Sequence, residues 1–195
     1  MKRIFDIFVS FIILLFFMPV GIFLSLWIVI ESKGGVFYLQ DRIGKNGNTF
    51  KLIKFRSMRK DADKDGKLTI GMRDARITKS GYFIRKYKLD EFPQFLNVLK
   101  GDMSIVGPRP EVEEYVRLYT SSQREILKVR PGITDLASLE YFDENRLLGE
   151  SDNPRQTYIK EIMPAKIELN KEYLKNPTLS NDIKIMWATF LRIIG

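Results

Sequence analysis

The adjacent carboxylates Asp90 and Glu91 are the residues best suited to chemistry, and they follow a run of cations that includes Arg85. An aspartate at a helix N-terminus near Arg85 should have its pKa held down and stay ionised, as a nucleophile must. Glu91 is placed to share a hard cation such as Mg2+ with Asp90, because Mg2+ takes one or two carboxylates together with phosphate oxygens and water. Taken alone, Asp90 is more simply explained as a helix N-cap.

Four further cations stand in segments that could present them to an anion. Arg109 lies between two prolines, and Arg130 is followed by Pro-Gly, so both are held on rigid turns. The planar fork of arginine suits phosphate, although each turn alone is more simply a salt bridge or a solvated turn. Lys54 and Arg56 belong to a cationic, strand-like stretch. Together with the two carboxylates, these cations indicate phosphoryl chemistry.

The composition narrows the chemistry further. The chain has 195 residues and a formal net charge of +8, and it contains neither cysteine nor histidine. It therefore has no disulfide, no thiolate nucleophile, no Ser-His-Asp triad and no His or Cys metal ligand. Any catalysis must use carboxylates, lysine, arginine, hydroxyls, backbone groups or a hard cation.

The elements that must position these residues begin with an apolar segment. From Ile4 to Ile30 the only ionisable residue is Asp6, and this stretch is long enough to span a bilayer. Pro19 near its middle removes a backbone donor, and basic residues flank the segment on both sides. Because basic flanks are typical of the cytoplasmic side, the segment either spans the membrane or breaks at Pro19 and returns to the same face. We assign residues 1–32 to this segment and 33–195 to a cytoplasmic domain.

Apolar spacing and turn residues predict the elements of that domain. Two short apolar runs, over 36–39 and 50–53, are joined by a turn rich in glycine and asparagine and predict a β-hairpin. The polar stretch 61–74 predicts a loop. Helices are predicted over 90–101, 111–128, 155–175 and 179–194. The last helix has tryptophan and basic residues beside an apolar stripe, so it either packs on the core or lies at a membrane interface.

Several runs of residues carry a resemblance to a known family. Residues 89–98 read Leu-Asp-Glu-Phe-Pro-Gln-Phe-Leu-Asn-Val, and residues 101–110 read Gly-Asp-Met-Ser-Ile-Val-Gly-Pro-Arg-Pro. With Lys54-Phe55-Arg56-Ser57-Met58 and Arg130-Pro131-Gly132-Ile133-Thr134, they resemble the monotopic phosphoglycosyl transferases, bacterial sugar transferases that begin the assembly of polysaccharides and glycoprotein glycans. The resemblance covers nearly the whole chain and points to the small, single-domain form of the family.

This resemblance implies the fold and its place in the cell. The expected fold is α+β and mostly helical, with a re-entrant membrane helix broken near Pro19. A small β-hairpin and amphipathic interfacial helices complete a compact catalytic domain. The expected location is the cytoplasmic face of the bacterial inner membrane, with monotopic insertion. Related sequences commonly have serine before this proline, whereas Met18 stands there in this chain.

The resemblance also implies a reaction in two steps. Asp90 would attack the β-phosphorus of a UDP-sugar, release UMP and form a covalent aspartyl phosphosugar, which polyprenol (undecaprenyl) phosphate would then accept. Glu91, with Asp90, would hold Mg2+ as the cofactor. The residues expected to bind the phosphates or the nucleotide are Lys54, Arg56, Arg85, Pro108, Arg109, Pro110 and Arg130.

Other interpretations and partners remain open at this point. A direct, one-step transfer without a covalent intermediate is the closest alternative, and a non-enzymatic basic module that binds membrane lipids is a more distant one. A nucleic-acid partner is disfavoured by the apolar segment. A homodimer is left open. The stretch Asp135 to Glu144 departs from the family pattern and is expected to line the sugar pocket, so the sugar itself cannot be predicted.

Overall fold

The computed structural model of the chain describes residues 1–62 and 74–194, with only the backbone described at position 145. Most of the loop predicted over 61–74 lies outside the described residues. The fold is mostly helical with two small, two-stranded sheets, as the α+β prediction requires.

Helix α1 (Lys2–Glu31) is the apolar segment, and it is the one described helix long and apolar enough to cross a membrane. Its middle carries large apolar side chains that are exposed on the protein surface, among them Phe8, Phe11, Phe16, Ile22, Phe23 and Leu26. The helical backbone of α1 continues through Pro19 without interruption. The change of direction expected at Pro19 stays a prediction.

Both ends of α1 contact the rest of the chain. At the N-terminal end the Lys2 ammonium lies 2.5 Å from the carboxylate of Asp182. At the C-terminal end Leu24 and Ile28 are buried in a cluster with Phe55 and Ile84. The helix is thus held at both ends, and also in its middle, where the Phe17 ring stacks on that of Phe92 with 3.8 Å between the ring centres. Exposed apolar side chains occur along its whole length.

The predicted β-hairpin is confirmed. Strands β1 (Phe37–Ile43) and β2 (Thr49–Phe55) pair antiparallel, with Phe37 opposite Phe55 and Ile43 opposite Thr49. A short 3-10 turn over Lys45–Gly47 connects them, with Asn46 and Gly47 at positive φ, a conformation that asparagine and glycine tolerate.

A second sheet joins the two proline-containing turns. Strands β3 (Ser104–Val106) and β4 (Gly132–Thr134) pair parallel. A Cβ added to Gly132 would lie 2.2 Å from the backbone nitrogen of Gly107, so only glycine allows the two backbones to approach this closely. The turn that carries Arg109 is therefore packed directly against the start of β4.

Helices surround these sheets. They are α2 (Lys79–Lys86), α3 (Gln94–Lys100), α4 (Glu113–Val116), α5 (Leu136–Glu140), α6 (Glu144–Gly149), α7 (Pro154–Thr157), α8 (Met163–Lys175) and α9 (Leu179–Ile194). A π-helical turn, Tyr158–Ile162, joins α7 to α8, which confirms continuous helix over most of 155–175. The helix predicted over 179–194 is also confirmed.

The single helix predicted over 111–128 is wrong. Helix α4 ends at Val116, and a 3-10 segment, Gln123–Lys128, begins only after a turn. In that turn the backbone N–H of Thr120 donates to the Gln123 side chain, and the Gln123 N–H donates back to the Thr120 hydroxyl. These reciprocal bonds offer the backbone an alternative to helical hydrogen bonds, which explains the interruption.

Helix α9 is amphipathic. Asp182 and Ile185 are buried against the domain, whereas Trp187, Phe190 and Ile194 are exposed. One face therefore packs on the core, and the placement of the other face at a membrane interface stays a prediction.

Candidate active site

The two carboxylates lie in a short turn before α3 rather than at its cap. Asp90 and Glu91 belong to a 3-10 turn, Leu89–Glu91, that follows Lys88 in the left-handed conformation (φ 54°). Helix α3 begins at Gln94, so the expected N-cap role of Asp90 is wrong, whereas the end of the helix at Gly101 (φ 99°) is as predicted.

Asp90 is 8% exposed and lines a large cavity. Its carboxylate accepts no hydrogen bond from the described residues, although Lys54, Arg85 and Lys88 are close enough to act on it electrostatically. A buried carboxylate without a hydrogen-bond partner is costly, and it is available to a reacting group in the cavity.

Glu91, one residue later, is held firmly by two cations. The guanidinium of Arg109 pairs with both carboxylate oxygens, with one nitrogen 3.1 Å from Oε2 and the other in contact with Oε1. The Lys54 ammonium at the end of β2 lies 3.5 Å from Oε1. The structure thus brings Lys54 and Arg109, which are distant in sequence, to the adjacent carboxylates Asp90 and Glu91.

The surroundings shift the pKa values of the two carboxyl groups in opposite directions. Burial raises the pKa of Asp90, and the neighbouring Glu91 raises it further, against the opposing effect of Lys54. For Glu91, burial acts in the same direction, but Arg109 and Lys54 outweigh it and hold the pKa of this carboxyl well below its usual range. The expectation that the Asp90 pKa is held down is therefore wrong, because the site is buried rather than placed at an exposed helix end.

The Arg109 turn is fixed on both sides of the arginine. The backbone N–H of Arg109 donates to the Asp135 carboxylate (3.0 Å), and its guanidinium also donates to the Ile133 carbonyl (3.3 Å). The Arg42 guanidinium donates to the carbonyl of Pro110 (3.0 Å). These bonds hold the turn in one conformation, so the Arg109 guanidinium lies at a defined point of the site.

The cavity beside these residues has a volume of about 1650 Å3 and two kinds of wall. Charged residues of the domain form one side, and apolar residues of α1, including Phe5, Ile12 and Phe16, form another. A ligand with a charged group and a long apolar part could therefore contact both walls.

The remaining predicted residues lie in different surroundings. Arg85 lines the cavity and makes no hydrogen bond or ion pair with any described residue. Arg56 also lines it, but its guanidinium donates to the carbonyls of Ser32 (2.7 Å) and Lys33 (3.1 Å) just after α1. Arg130 lies outside the cavity lining and donates to the carbonyl of Gly101 (2.8 Å).

The two prolines of the Arg109 turn face different ways. Pro110 lines the cavity, whereas Pro108 lies outside its lining and accepts the backbone N–H of Gly132 (3.0 Å). Nothing in these contacts tests whether Arg56, Arg130 or the two prolines bind nucleotide, so those roles stay predictions.

The carboxylates of the site suit a hard cation that takes only one or two ligands from the protein. The described residues include no group of three or more acidic side chains that could hold a metal ion. Asp90 and Glu91 therefore supply two carboxylates at most, which is the number that Mg2+ uses when substrate phosphates and water complete its coordination. Both oxygens of Glu91 are paired with Arg109, so Mg2+ would bind this carboxylate in exchange for part of that pairing.

Some residues of the site were not indicated by any motif. Glu111 accepts hydrogen bonds from Arg42 (3.1 Å) and from the hydroxyl of Tyr158. The ammonium of Lys166 on α8 lies 2.5 Å from the carboxylate of Glu144. The position of Glu111, directly after the Gly-Pro-Arg-Pro turn, could have drawn attention to it, and Glu144 ends the stretch expected to line the sugar pocket. The contacts of Tyr158 and Lys166 depend on tertiary packing.

Comparison with known proteins identifies the family to which the chain belongs. The model of a family described as bacterial sugar transferase matches residues 1–195. A Bacillus subtilis protein, named provisionally as an undecaprenyl-phosphate N-acetylgalactosaminyl 1-phosphate transferase, is 44% identical over 68% of this chain and 70% of its own length.

Two longer relatives match almost the whole chain. The UDP-N-acetylgalactosamine-undecaprenyl-phosphate N-acetylgalactosaminephosphotransferase of Aeromonas hydrophila is 36% identical over 99% of the chain. The UDP-glucose:undecaprenyl-phosphate glucose-1-phosphate transferase of Klebsiella pneumoniae is 37% identical over 98%. The chain spans only 43% and 39% of the length of these two proteins. The matches to the family model and to these relatives show that the chain belongs to the bacterial sugar transferase family.

Proposed function

We propose that this protein transfers a phosphosugar from a UDP-sugar to polyprenol phosphate, and that the reaction proceeds through a covalent intermediate on Asp90. The observation that carries the proposal is a buried, unbonded Asp90 carboxylate that faces the cavity next to a Glu91 carboxylate already neutralised by Arg109 and Lys54. The printed names of the relatives, which specify sugar-phosphate transfer to undecaprenyl phosphate, support the same reaction class.

In the first step an oxygen of the ionised Asp90 attacks the β-phosphorus of the UDP-sugar. A new bond forms between that oxygen and phosphorus, and the bond from phosphorus to the bridging oxygen breaks, so UMP leaves with the electron pair. Burial disfavours the ionised form of Asp90, and the cations Lys54, Arg85 and Lys88 favour it. Arg85, which makes no hydrogen bond or ion pair with a described residue, is the cation available to the diphosphate.

In the second step an oxygen of the polyprenol phosphate attacks the same phosphorus. The bond between Asp90 and phosphorus then breaks, which regenerates the carboxylate and gives a polyprenol-diphosphate-linked sugar. The apolar residues of α1 in the cavity wall are suited to the polyprenol chain next to its phosphate. Mg2+ held by Asp90 and Glu91 would supply charge neutralisation on the diphosphate.

The attachment of α1 supports a re-entrant, monotopic membrane insertion on the cytoplasmic face. Both ends of the helix contact the same domain, and so does its middle, where Phe17 stacks on Phe92. A helix that crossed the bilayer would have its two ends on opposite sides of it, about 30 Å of hydrocarbon apart. The basic residues on both flanks of the segment agree with a single, cytoplasmic side.

The test is the intact mass of the purified protein after incubation with Mg2+ and a panel of UDP-sugars, without lipid. We expect a mass increase equal to one phosphosugar, release of one UMP per adduct, and loss of both in Asp90→Asn. Because Asp90 makes no hydrogen bond to the described residues and its charge is disfavoured by burial, Asp90→Asn should fold normally, with a melting temperature no lower than that of the wild type.

The alternative, direct transfer, gives a different result. It produces no adduct with any donor, and UMP appears only when polyprenol phosphate is added. Turnover by Asp90→Asn comparable to that of the wild type would contradict the role of Asp90 as the nucleophile. We expect a loss of at least about a thousandfold, the scale seen when a nucleophile is removed.

A further inference from the structure

The outward side of helix α2 carries aromatic rings that the domain leaves exposed. Tyr82 is 49% exposed, Phe83 is 39% exposed, and Tyr87, directly after the helix, is 43% exposed. Lys79 and Lys86 are also exposed, and they share this side because positions 79, 82, 83 and 86 are three or four residues apart. A group of exposed apolar side chains beside polar ones is typical of a surface that contacts a partner.

The rings cannot turn into the core, because the opposite side of α2 is closely packed. Ile84 is fully buried in a cluster with Leu24 and Ile28 of α1. A Cβ added to Gly81 would lie 1.8 Å from the carbonyl oxygen of Ser57, so only glycine allows this approach. Helix α2 therefore has one orientation, with its rings outward.

The exposed rings of α2 are continuous with rings on α1. Phe23 is 62% exposed, and the centre of its ring lies 6.2 Å from that of Trp27. Trp27 contacts Phe83 with 5.6 Å between ring centres, and Phe83 contacts Tyr87 with 4.9 Å. A row of four rings thus runs from the apolar surface of α1 along the outward side of α2.

Helix α2 also begins at the point where α1 ends. The carboxylate of Glu31, the last residue of α1, accepts the backbone N–H groups of Lys79 (2.6 Å) and Ser80 (2.7 Å). In the proposed re-entrant insertion this end of α1 lies at the membrane surface, so the start of α2 lies there too. Tryptophan and tyrosine are enriched at this level of a membrane because each has an apolar body and a polar end.

The charge of α2 fits the phosphates of lipid headgroups. Residues 79–88 contain four cations, Lys79, Arg85, Lys86 and Lys88, and no acidic residue. The Lys86 ammonium lies 5.4 Å from the centre of the Tyr87 ring, so a cation and a ring are presented together. Basic residues near a membrane are attracted to anionic lipids, and a helix with both basic residues and rings is typical of the membrane interface.

We infer that α2 lies in the membrane interface, with Tyr82, Phe83 and Tyr87 inserted at the boundary of headgroups and acyl chains. The ammonium groups of Lys79 and Lys86 then contact lipid phosphates. This inference rests on the membrane insertion of α1 in the proposed function. It also limits the depth of the reactive carboxylate, because Asp90 follows Tyr87 by three residues, which span at most about 11 Å.

The experiment measures the depth of α2 with a fluorescent label on single cysteines, which the cysteine-free chain allows. Tyr82→Cys and Lys86→Cys are each labelled with NBD, and the whole protein is placed in nanodiscs of phosphatidylcholine and phosphatidylglycerol. Quenching by lipids with a nitroxide at a known depth is compared with quenching by acrylamide in the water. We expect the lipids to quench both labels and acrylamide to quench them weakly, with the label at Tyr82 about 5–10 Å into the interface.

Two reference positions calibrate these depths. Ile22→Cys, on α1 three residues after Pro19 and 56% exposed, should be quenched best by lipids with a deep nitroxide. Arg117→Cys, directly after α4, where the side chain is 73% exposed, should be quenched by acrylamide and not by lipid. Tyr82 and Lys86 are both exposed, so either label tests the inference if the other variant fails to fold.

Three results would overturn the inference. In the first, acrylamide quenches the α2 labels as strongly as the label at Arg117, while the label at Ile22 is in lipid. In the second, the α2 labels are shielded from acrylamide but not quenched by lipid, which would indicate that a second copy of the chain covers this face. In the third, acrylamide also quenches the label at Ile22, so the inference fails together with the insertion of α1. Failure of the proposed reaction is separate, because an absence of UMP release would leave all these depths unchanged.

Discussion

The two ends of α1 are attached to the domain by different kinds of contact. At the N-terminal attachment, Lys2 pairs with the buried Asp182, and the carboxylate of Asp6, 3% exposed, accepts the hydroxyl of Ser104 at 2.7 Å. These are hydrogen-bonded and ionic contacts between side chains with little freedom to shift. Each needs its partner at one distance and direction.

At the C-terminal attachment, burial of apolar side chains dominates. Leu24 and Ile28 are each 1% exposed, and Arg56 covers the last carbonyls of the helix. The carboxylate of Glu31 accepts the backbone N–H groups of Lys79 and Ser80 at the start of α2.

The difference follows from the surroundings of α1. A helix that is apolar on nearly all sides can rotate or slide in lipid at little cost, because one apolar face is as good as another there. Directional contacts at both ends remove this freedom, and the burial of Leu24 and Ile28 adds non-directional stabilisation at the C-terminal end. The following predictions test this division, and they run from the largest expected effect to the smallest.

Leu24→Ala should cost about 3 kcal/mol, because it leaves a cavity in the cluster with Phe55 and Ile84. In lipid nanodiscs this corresponds to a melting temperature lower by about 6–12 °C. The matched control is Leu26→Ala, since Leu26 lies two residues away and is 59% exposed. Equal losses in the two variants would show that the C-terminal attachment does not hold the helix.

Lys2→Met should cost about 2 kcal/mol, since among the described residues it leaves the buried Asp182 carboxylate with only the Tyr173 hydroxyl as donor. This value is below that of a fully buried pair because the Lys2 side chain is 35% exposed. Lys2→Arg keeps the charge and should restore most of the stability. A melting temperature unchanged in Lys2→Met would mean that the ion pair does not fix the N-terminal attachment.

Glu31→Gln should cost about 1 kcal/mol at neutral pH, the usual value of a carboxylate that caps a helix N-terminus. Partial burial raises the pKa of Glu31, but hydrogen bonds from Ser80 and Lys79 outweigh it and lower the pKa below its usual range. A depressed pKa stabilises the folded state above the ordinary carboxyl range, and this contribution is lost as the pH falls through the pKa of the folded protein.

Thermal melts across pH check the Glu31 prediction. The wild type and Glu31→Gln should differ at neutral pH by about 2–4 °C and converge in acid, as the carboxyl becomes protonated in both states. Glu172→Gln, at an exposed position of α8, should follow the wild type throughout. A difference that persists undiminished in acid would contradict the capping role.

Several features of the molecule were accessible from its sequence because they depend on neighbouring residues. Asparagine and glycine between two apolar runs were enough to predict the hairpin, and Gly101 marked the end of α3. Asp90, Glu91 and Arg109 were selected by residue type, and the structure does place them around one cavity.

Other features depend on contacts that no local pattern encodes. The sequence could not show that Arg56 covers the end of α1, or that burial would raise the pKa of Asp90. The failed prediction over 111–128 had a local cause, the reciprocal bonds at Thr120, but apolar spacing does not detect it.

The attachments of α1 also differ in when they become available during translation. Arg56 and Ser80 follow their partners in α1 by 24 and 49 residues, Ser104 follows Asp6 by 98, and Asp182 follows Lys2 by 180. At about 5–20 residues per second, the roughly 80 residues between Ser104 and Asp182 take about 4–16 s to translate. During that interval the partners of both ends of α1 have been synthesised except Asp182, so the ion pair of Lys2 with Asp182 is the last of these attachments to form.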